Sequence, residues 1–183
     1  MTPKSRGTIF LFLGIVLLLI AGGWYLCNII EDKNAGQMSN EILKNFNTEQ
    51  SVEDLPVITV DGDEFCGKVI IDKLNVELPV YNEWNYTRLK TAPCRYTGSI
   101  DTNDIIIAAH NYKSHFGNLK KLQNGDEILF VDAFGVTHKF TVCEVAVLDG
   151  TAVSDMCSGE WDFTLFTCTK GGEQRVTVRC EQK

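Results

Sequence analysis

The chain has 183 residues, of which 44% are hydrophobic and 22% charged, with a formal net charge of −7. This composition is typical of a folded globular protein and argues against intrinsic disorder. The acidic charge is spread along the chain, which argues against a nucleic-acid-binding protein, because such proteins usually carry a basic stripe. The length allows one domain and an appendage.

The N-terminus carries a membrane signal. An uncharged run from Ile9 to Leu26 follows Lys4 and Arg6 and precedes Glu31 and Asp32. About 18 apolar residues at about 1.5 Å each come close to spanning a hydrocarbon core of about 30 Å. Basic residues before the span and acidic residues after it predict a cytoplasmic N-terminus and an extracellular remainder.

A cleaved signal peptide is the alternative interpretation of this segment. The small residues 21–23 (Ala-Gly-Gly) suit a cleavage site, but they lie inside an apolar run that is long for a signal peptide. We therefore predict that residues 1–30 form an uncleaved, single-pass anchor in the cell membrane.

Residues 31–54 are predominantly polar. Met38, Ile42 and Phe46 recur every four residues and form one weak apolar stripe of a helix. The pattern predicts a stalk with a short helix that leans on the following domain, and a partner site is the alternative.

Residues 55–183 change to short segments rich in β-branched and aromatic residues, separated by turn residues. This pattern favours an all-β barrel or sandwich. Short helices or turns are expected at Glu83–Lys90 and Phe116–Leu122. The predicted strands are Gly67–Ile71, Val76–Tyr81, Ile105–His110, Glu127–Val131, Thr137–Leu148, Phe163–Cys168 and Gln174–Glu181.

One histidine occupies a position where functional sites gather. The segment Ile105–Ala109 is apolar on both faces, as a central strand should be, and His110 follows it directly. A histidine at the exit of a buried strand lies at a barrel rim. For His115 and His138 we expect surface or packing roles.

The C-terminal hairpin places a cysteine opposite an arginine. Gly171 and Gly172 favour a tight turn, because glycine adopts positive φ without steric cost. A turn centred there pairs Cys168 with Arg175, with both side chains on one face. By the same register, Arg179 pairs with Thr164.

These three side chain types suit acyl transfer. A cysteine paired with a histidine provides a nucleophile and an acid–base group, and a guanidinium stabilises a developing oxyanion. The residues alone leave Cys168 open as either a nucleophile or a packed thiol. The seven cysteines form no C-x-x-C pair, which argues against zinc, and they allow one disulfide.

The segment 164–168 (TLFTC), with Arg175 on the next strand, resembles the TLxTC…R signature of sortases, the membrane-anchored cysteine transpeptidases of Gram-positive bacteria. The strand that ends at His110, residues 116–119 (FGNL) and residues 125–128 (GDEI) extend the resemblance. It covers roughly residues 65–181.

The resemblance implies an eight-stranded β-barrel with short helices in residues 55–183, after one transmembrane helix. It implies that Cys168 attacks the Thr–Gly bond of an LPxTG-like sorting signal on a surface protein. The thioester then passes to an amine of a peptidoglycan precursor, without a cofactor or metal. His110 is the implied general acid and base, Arg175 the oxyanion-stabilising residue, and Thr167 a substrate-binding residue.

Several features bear on the subclass. No second apolar span follows Cys180 and the segment 149–162 is short, which favours a small class D-like or housekeeping sortase. Asp101 and Asp104 alone are too few for a calcium site. A cysteine peptidase that hydrolyses the acyl-enzyme and a non-catalytic extracellular binding domain are the competing functions.

Overall fold

The computed structural model describes residues 3–45, 50–51, 57–158 and 160–183. Contacts divide the chain into two compact units, residues 1–34 and 35–183. The chain begins with the helix α1 (Pro3–Lys44), which is long and apolar enough to cross a membrane. Phe10, Leu18 and Trp24 are 70% to 81% exposed, which distinguishes this part of α1 from a buried core helix.

The C-terminal end of α1, residues 35–44, belongs to the second unit and buries one face against it. Ala35 and Ser39 are buried and Ile42 packs against the core. The i, i+4, i+7 spacing of these residues places them on one side of the helix. The predicted stripe was therefore wrong at Met38, which is 47% exposed, and right at Ile42. Phe46 lies outside the described residues.

Ten strands occur within the described ranges. They are β1 (Gln50–Ser51), β2 (Val57–Val60), β3 (Asp63–Ile71), β4 (Val76–Tyr81), β5 (Cys94–Thr97), β6 (Ile105–Ala109), β7 (Glu127–Asp132), β8 (Thr137–Asp149), β9 (Phe163–Cys168) and β10 (Gln174–Gln182). The seven predicted strands are all present, with ends that differ by a few residues.

The sheet closes into a barrel. Eight strands follow one another in the order β3-β4-β5-β6-β9-β10-β8-β7, and β7 pairs back onto β3. Closure removes the exposed sheet edges that would otherwise pair with other chains. The additional strands β2 and β1 extend from β3. The prediction of an all-β, eight-stranded barrel is confirmed.

In the described part of the barrel four short helical segments occur where the sequence predicted two, and the first of them is a 3₁₀ turn at Asp72–Leu74. The helix α2 (Tyr86–Leu89) begins after Asn85, whose side chain accepts a hydrogen bond from the backbone N–H of Thr87. A 3₁₀ turn (Leu119–Lys121) lies within the second predicted segment. The helix α3 (Val153–Met156) was not predicted, because four residues carry too little periodicity.

The strands β6 and β9 are buried on both faces. Phe163 and Leu165 of β9 contribute to one hydrophobic cluster, together with Ile107 of β6. Phe166 and its ladder neighbour Ala108 belong to a second cluster on the opposite face of the sheet. This double burial explains the uninterrupted apolar sequence of β6. The same burial shields from solvent the two strands that lead to the candidate site.

Candidate active site

The parallel pairing of β6 and β9 places His110 and Cys168 at the ends of neighbouring strands. The last pair of this ladder is Ala109 with Thr167, so His110 and Cys168 lie one residue further on, at the same level. Neighbouring strands are about 4.7–4.9 Å apart. The Thr167 hydroxyl donates to the carbonyl oxygen of Ala109 at 2.7 Å and joins the two strand ends directly. Thr167 is buried, whereas His110 and Cys168 are partly exposed.

The predicted register of the C-terminal hairpin is confirmed. Cys168 pairs with Arg175 across the ladder of β9 and β10. Gly171 and Gly172 both adopt positive φ, +102° and +81°, which a glycine pair allows without strain. The Arg175 guanidinium donates through Nη1 to the carbonyl oxygens of Gly172 at 2.7 Å and Gln174 at 3.1 Å. The turn therefore holds this cation on the strand next to the thiol.

The loop after His110 folds back in a compact turn. The backbone N–H of Phe116 donates to the His110 carbonyl at 3.2 Å, and the N–H of Gly117 donates to the Tyr112 carbonyl at 2.8 Å. A Cβ atom on Gly117 would lie 2.5 Å from the Asn111 oxygen and 2.7 Å from the Tyr112 oxygen. Only glycine therefore allows the chain to pass so close to this loop.

Arg179 occupies a different place from Arg175. It pairs with Thr164, as the register predicted, four residues before the cysteine on β9. Its guanidinium donates to Glu144 Oε2 at 2.7 Å and to the Asp155 carbonyl at 2.8 Å, and it lies 5.9 Å from the centre of the Trp161 ring. Arg179 therefore fastens the segment 149–162 to the barrel.

An apolar face and a pocket extend along β9 from the cysteine. Thr164, Phe166 and Cys168 alternate onto the same face, where Phe166 packs against the Tyr96 ring at a centroid distance of 5.4 Å. A pocket of about 160 Å³ lies at the Thr164 end of this face. Its lining includes Asp104, Ile106, Met156, Cys157 and Trp161. At about 3.3 Å per residue, four residues place this pocket about 13 Å from the thiol level.

The cysteines differ in their surroundings. All seven are free, so the disulfide that the sequence allowed does not form in this structure. Burial raises the pKa of the Cys66 thiol to about 12 and that of Cys94 to about 11. Burial also raises the pKa of the Cys180 thiol. These three thiols are held in their unreactive, protonated form, whereas Cys168 stands at the rim.

The other two histidines agree with the surface or packing roles that the sequence predicted. His115 is fully buried, and its Nε2 lies 3.4 Å from the Ser39 hydroxyl. The Nε2 of His138 lies 2.8 Å from Asp132 Oδ2. Within the described ranges, no three side chains of His, Cys, Asp or Glu gather as metal ligands would.

Tyr112 lies beside the candidate site, although the sequence pattern did not single it out. The Tyr112 ring lies 4.9 Å from the His110 ring, centre to centre, at an interplanar angle of 37°. The sequence offered one indication of this role, which is the position of Tyr112 two residues after His110. Its contact with the imidazole depends on the fold of the loop.

The topology, with its closed eight-stranded barrel, is the sortase fold. A structural comparison finds sortase C1 from Streptococcus agalactiae, 23% identical, covering 68% of this chain and 70% of that chain, with a TM-score of 0.61. The sortase D5 transpeptidase from Clostridium perfringens is 22% identical, with coverages of 80% and 96% and a TM-score of 0.63. Sortase A from Listeria monocytogenes is 22% identical, with coverages of 65% and 87% and a TM-score of 0.56.

The sequence itself identifies the family. The sortase domain model matches residues 69–183, which is most of the chain. No curated protein matches the chain significantly. The chain belongs to the sortase family. Its long apolar N-terminal helix is compatible with the single membrane anchor expected of such a protein.

Proposed function

We propose that the protein is a cysteine transpeptidase that cleaves an LPxTG-like sorting signal between Thr and Gly and joins the new carboxyl end to a cell-wall amine. The observation that carries this proposal is the convergence of His110, Cys168 and Arg175 at one barrel rim. Two ladders bring them there, a parallel pair for the histidine and a hairpin for the arginine.

In the first step, the Cys168 thiolate attacks the threonine carbonyl carbon of the substrate. The carbon–sulfur bond forms, and the carbonyl oxygen takes up the electron pair as an oxyanion. Arg175 donates hydrogen bonds to that oxyanion. His110, as the imidazolium, then protonates the glycine nitrogen, the carbon–nitrogen bond breaks, and a thioester remains.

In the second step, an amine attacks the thioester carbonyl. His110, now neutral, accepts the proton that the amine loses, an amide bond forms and the Cys168 sulfur leaves as a thiolate. Surface proteins with a C-terminal sorting signal are the proposed donors, and the amine of a peptidoglycan precursor is the proposed acceptor. The reaction uses no redox step and needs no cofactor.

The sheet face that carries Cys168 has dimensions that suit this substrate. A donor peptide in extended conformation rises about 3.3 Å per residue, so the four residues of an LPxT segment span about 13 Å. That length matches the separation between the thiol level and the pocket beside Thr164 and Met156. Thr167 keeps its predicted role as a substrate-binding residue in this proposal, and its hydroxyl also ties β9 to the strand that ends before His110.

The test uses the full chain in detergent micelles with an LPxTG peptide and a glycine-based or diamino-acid amine. Mass spectrometry should find the ligated product, and Cys168→Ala should abolish it. Hydrolysis alone with several amines would move the assignment to a cysteine peptidase. A wild type that neither cleaves nor ligates any such peptide would favour a binding domain.

We also propose that residues 1–30 anchor the protein with a cytoplasmic N-terminus, that residues 31–54 form the stalk, and that residues 55–183 form the extracellular catalytic domain. Lys4 and Arg6 on one side of the apolar run support this orientation. Protease added to intact protoplasts should degrade the catalytic domain. Full protection would refute the orientation, and a mature chain without its first two dozen or so residues would refute the anchor.

A further inference from the structure

The C-terminal end of α1 contacts the loop that follows His110. The side chains that meet are small, which allows a close approach. A Cβ atom on Gly36 would lie only 3.0 Å from the Cβ of Ser114, and Ala35 is 2% exposed. This helical segment therefore packs directly against residues 110–117.

Ser39 lies at the centre of this contact. It is fully buried, and its hydroxyl donates to the carbonyl oxygen of Thr91 at 2.6 Å. The same hydroxyl oxygen lies 3.4 Å from His115 Nε2. Because the hydroxyl proton is committed to Thr91, Nε2 of His115 is the donor in that second contact. One serine thus joins the helix to two loops of the barrel.

A series of rings continues from His115 toward the candidate site. The His115 ring lies 5.5 Å from the Tyr112 ring, centre to centre. The Tyr112 ring in turn lies 4.9 Å from the ring of His110. The backbone supports the same arrangement, since the N–H of His115 donates to the Tyr112 carbonyl at 3.0 Å. The series runs without interruption from Ser39 to His110.

We infer that Tyr112 and His115 are positioning residues for the His110 imidazole, and that the buried face of α1 around Ser39 holds them in place. This inference rests on the proposed function of His110 as the general acid and base. An imidazole at a strand end can rotate about two side chain bonds. A ring packed against it restricts that rotation, so the imidazole stays aimed at the neighbouring Cys168. The membrane-proximal helix is then part of the catalytic unit rather than a passive tether.

Misalignment of reacting groups by about 1 Å can cost about 100-fold in rate. For Tyr112→Ala we therefore expect kcat for peptide ligation to fall about 10-fold or more, with little change in KM. Tyr112→Phe keeps the ring and should retain nearly wild-type kcat. Ser39→Ala removes the bridge at the far end of the series and should lower kcat in the same direction, by a smaller factor.

Asn40→Ala is the matched control, because Asn40 neighbours Ser39 on the same helix and is exposed. It should leave kcat unchanged. All variants are assayed as full chains in micelles at a temperature where circular dichroism shows each of them folded. Tyr112 is partly exposed, so its truncation leaves the core intact.

A second measurement needs no substrate. Iodoacetamide labels thiolates, and peptide mapping by mass spectrometry follows the labelling of Cys168 alone as a function of pH. His110→Ala gives the profile expected when the imidazole is absent. Tyr112→Ala should shift the labelling profile toward that of His110→Ala, whereas Asn40→Ala should match the wild type.

The outcomes separate this inference from the proposed function. If the wild type ligates peptides and Tyr112→Ala shows wild-type kcat and labelling, the positioning role is wrong. Equal losses in Tyr112→Phe and Tyr112→Ala would refute ring packing as the cause. A wild-type kcat in Ser39→Ala would remove the helix from the inference. If the wild type ligates no peptide, the proposed function fails, and the labelling profiles still decide the positioning role.

Discussion

The two arginines of β10 should separate catalysis from stability. Arg175 and Arg179 lie on the same face of one strand, four residues apart, so about 13 Å separates their levels. Only Arg175 pairs with Cys168. We expect Arg175→Lys to impair ligation severely and Arg179→Lys to impair folding stability instead.

The expected loss of kcat in Arg175→Lys follows from the proposed role of Arg175. Nη1 is held by the carbonyl oxygens of Gly172 and Gln174, and a guanidinium held through one nitrogen has others to offer a substrate oxyanion. Removing one oxyanion donor typically costs about 2.7–4 kcal/mol, or about 10²–10³ in kcat. Lysine keeps the charge but lacks the planar fork. Because the Arg175 contacts are at an exposed turn, the melting temperature should change little.

The expected loss of folding stability in Arg179→Lys follows from the contacts of Arg179. It bonds Glu144 and the Asp155 carbonyl and lies near the Trp161 ring. Lysine replaces these contacts only in part, so the loss should be about 1–2 kcal/mol of folding free energy. For a chain of this size that corresponds to a fall of about 2–8 °C in melting temperature.

The assay measures kcat for peptide ligation and the melting temperature of both lysine variants. Arg175→Lys should show the larger loss of kcat and Arg179→Lys the larger loss of stability. If Arg179→Lys lowers kcat more than Arg175→Lys while both variants stay folded, the assignment of the oxyanion partner is refuted.

Gly117→Ala should lower both kcat and melting temperature, because its Cβ would lie 2.5 Å from the Asn111 oxygen; wild-type values for both would contradict this close approach. Thr167→Val should keep the fold but lower kcat, since it deletes the buried 2.7 Å bond to Ala109; an unchanged kcat would show that the bond has no role in the site. In the unfolded chain a thiol ionises above about pH 9, whereas the raised pKa of Cys94 keeps this thiol protonated in the folded state. Unfolding therefore releases a proton in this pH range, and the folding stability falls as pH rises. Thermal melts from pH 8 to about 10.5 should show a shallower decline for Cys94→Ala, and parallel curves would refute this contribution.

The local sequence pattern was sufficient to predict the register of the C-terminal hairpin. Gly171 and Gly172 mark the turn, and the side chain period of two then determines which residues face each other. The pairing of Cys168 with Arg175 follows from those two facts without any knowledge of the barrel. The strands β6 and β9 were also predictable, because burial on both faces leaves an uninterrupted apolar sequence.

The short elements β5 and α3 were not predicted, and one physical reason applies to both. The strand β5 has four residues and is joined to β4 by a single parallel pair, Tyr81 with Cys94. The helix α3 is also four residues long. Such segments contain about one period of their pattern, so their conformation is decided by what they pack against.

The sequence alone determined the apolar N-terminal helix, the all-β architecture and the cysteine–arginine pair, because each depends on the order of neighbouring residues. Only the tertiary structure decided that the strand before His110 lies beside the strand that ends at Cys168, since a parallel pair joins residues 58 positions apart and no local pattern encodes that match. It likewise decided which face of α1 is buried. The small side chains of Ala35, Gly36 and Ser39 form no apolar stripe, and their contact with the histidine loop exists because small residues let a helix approach closely.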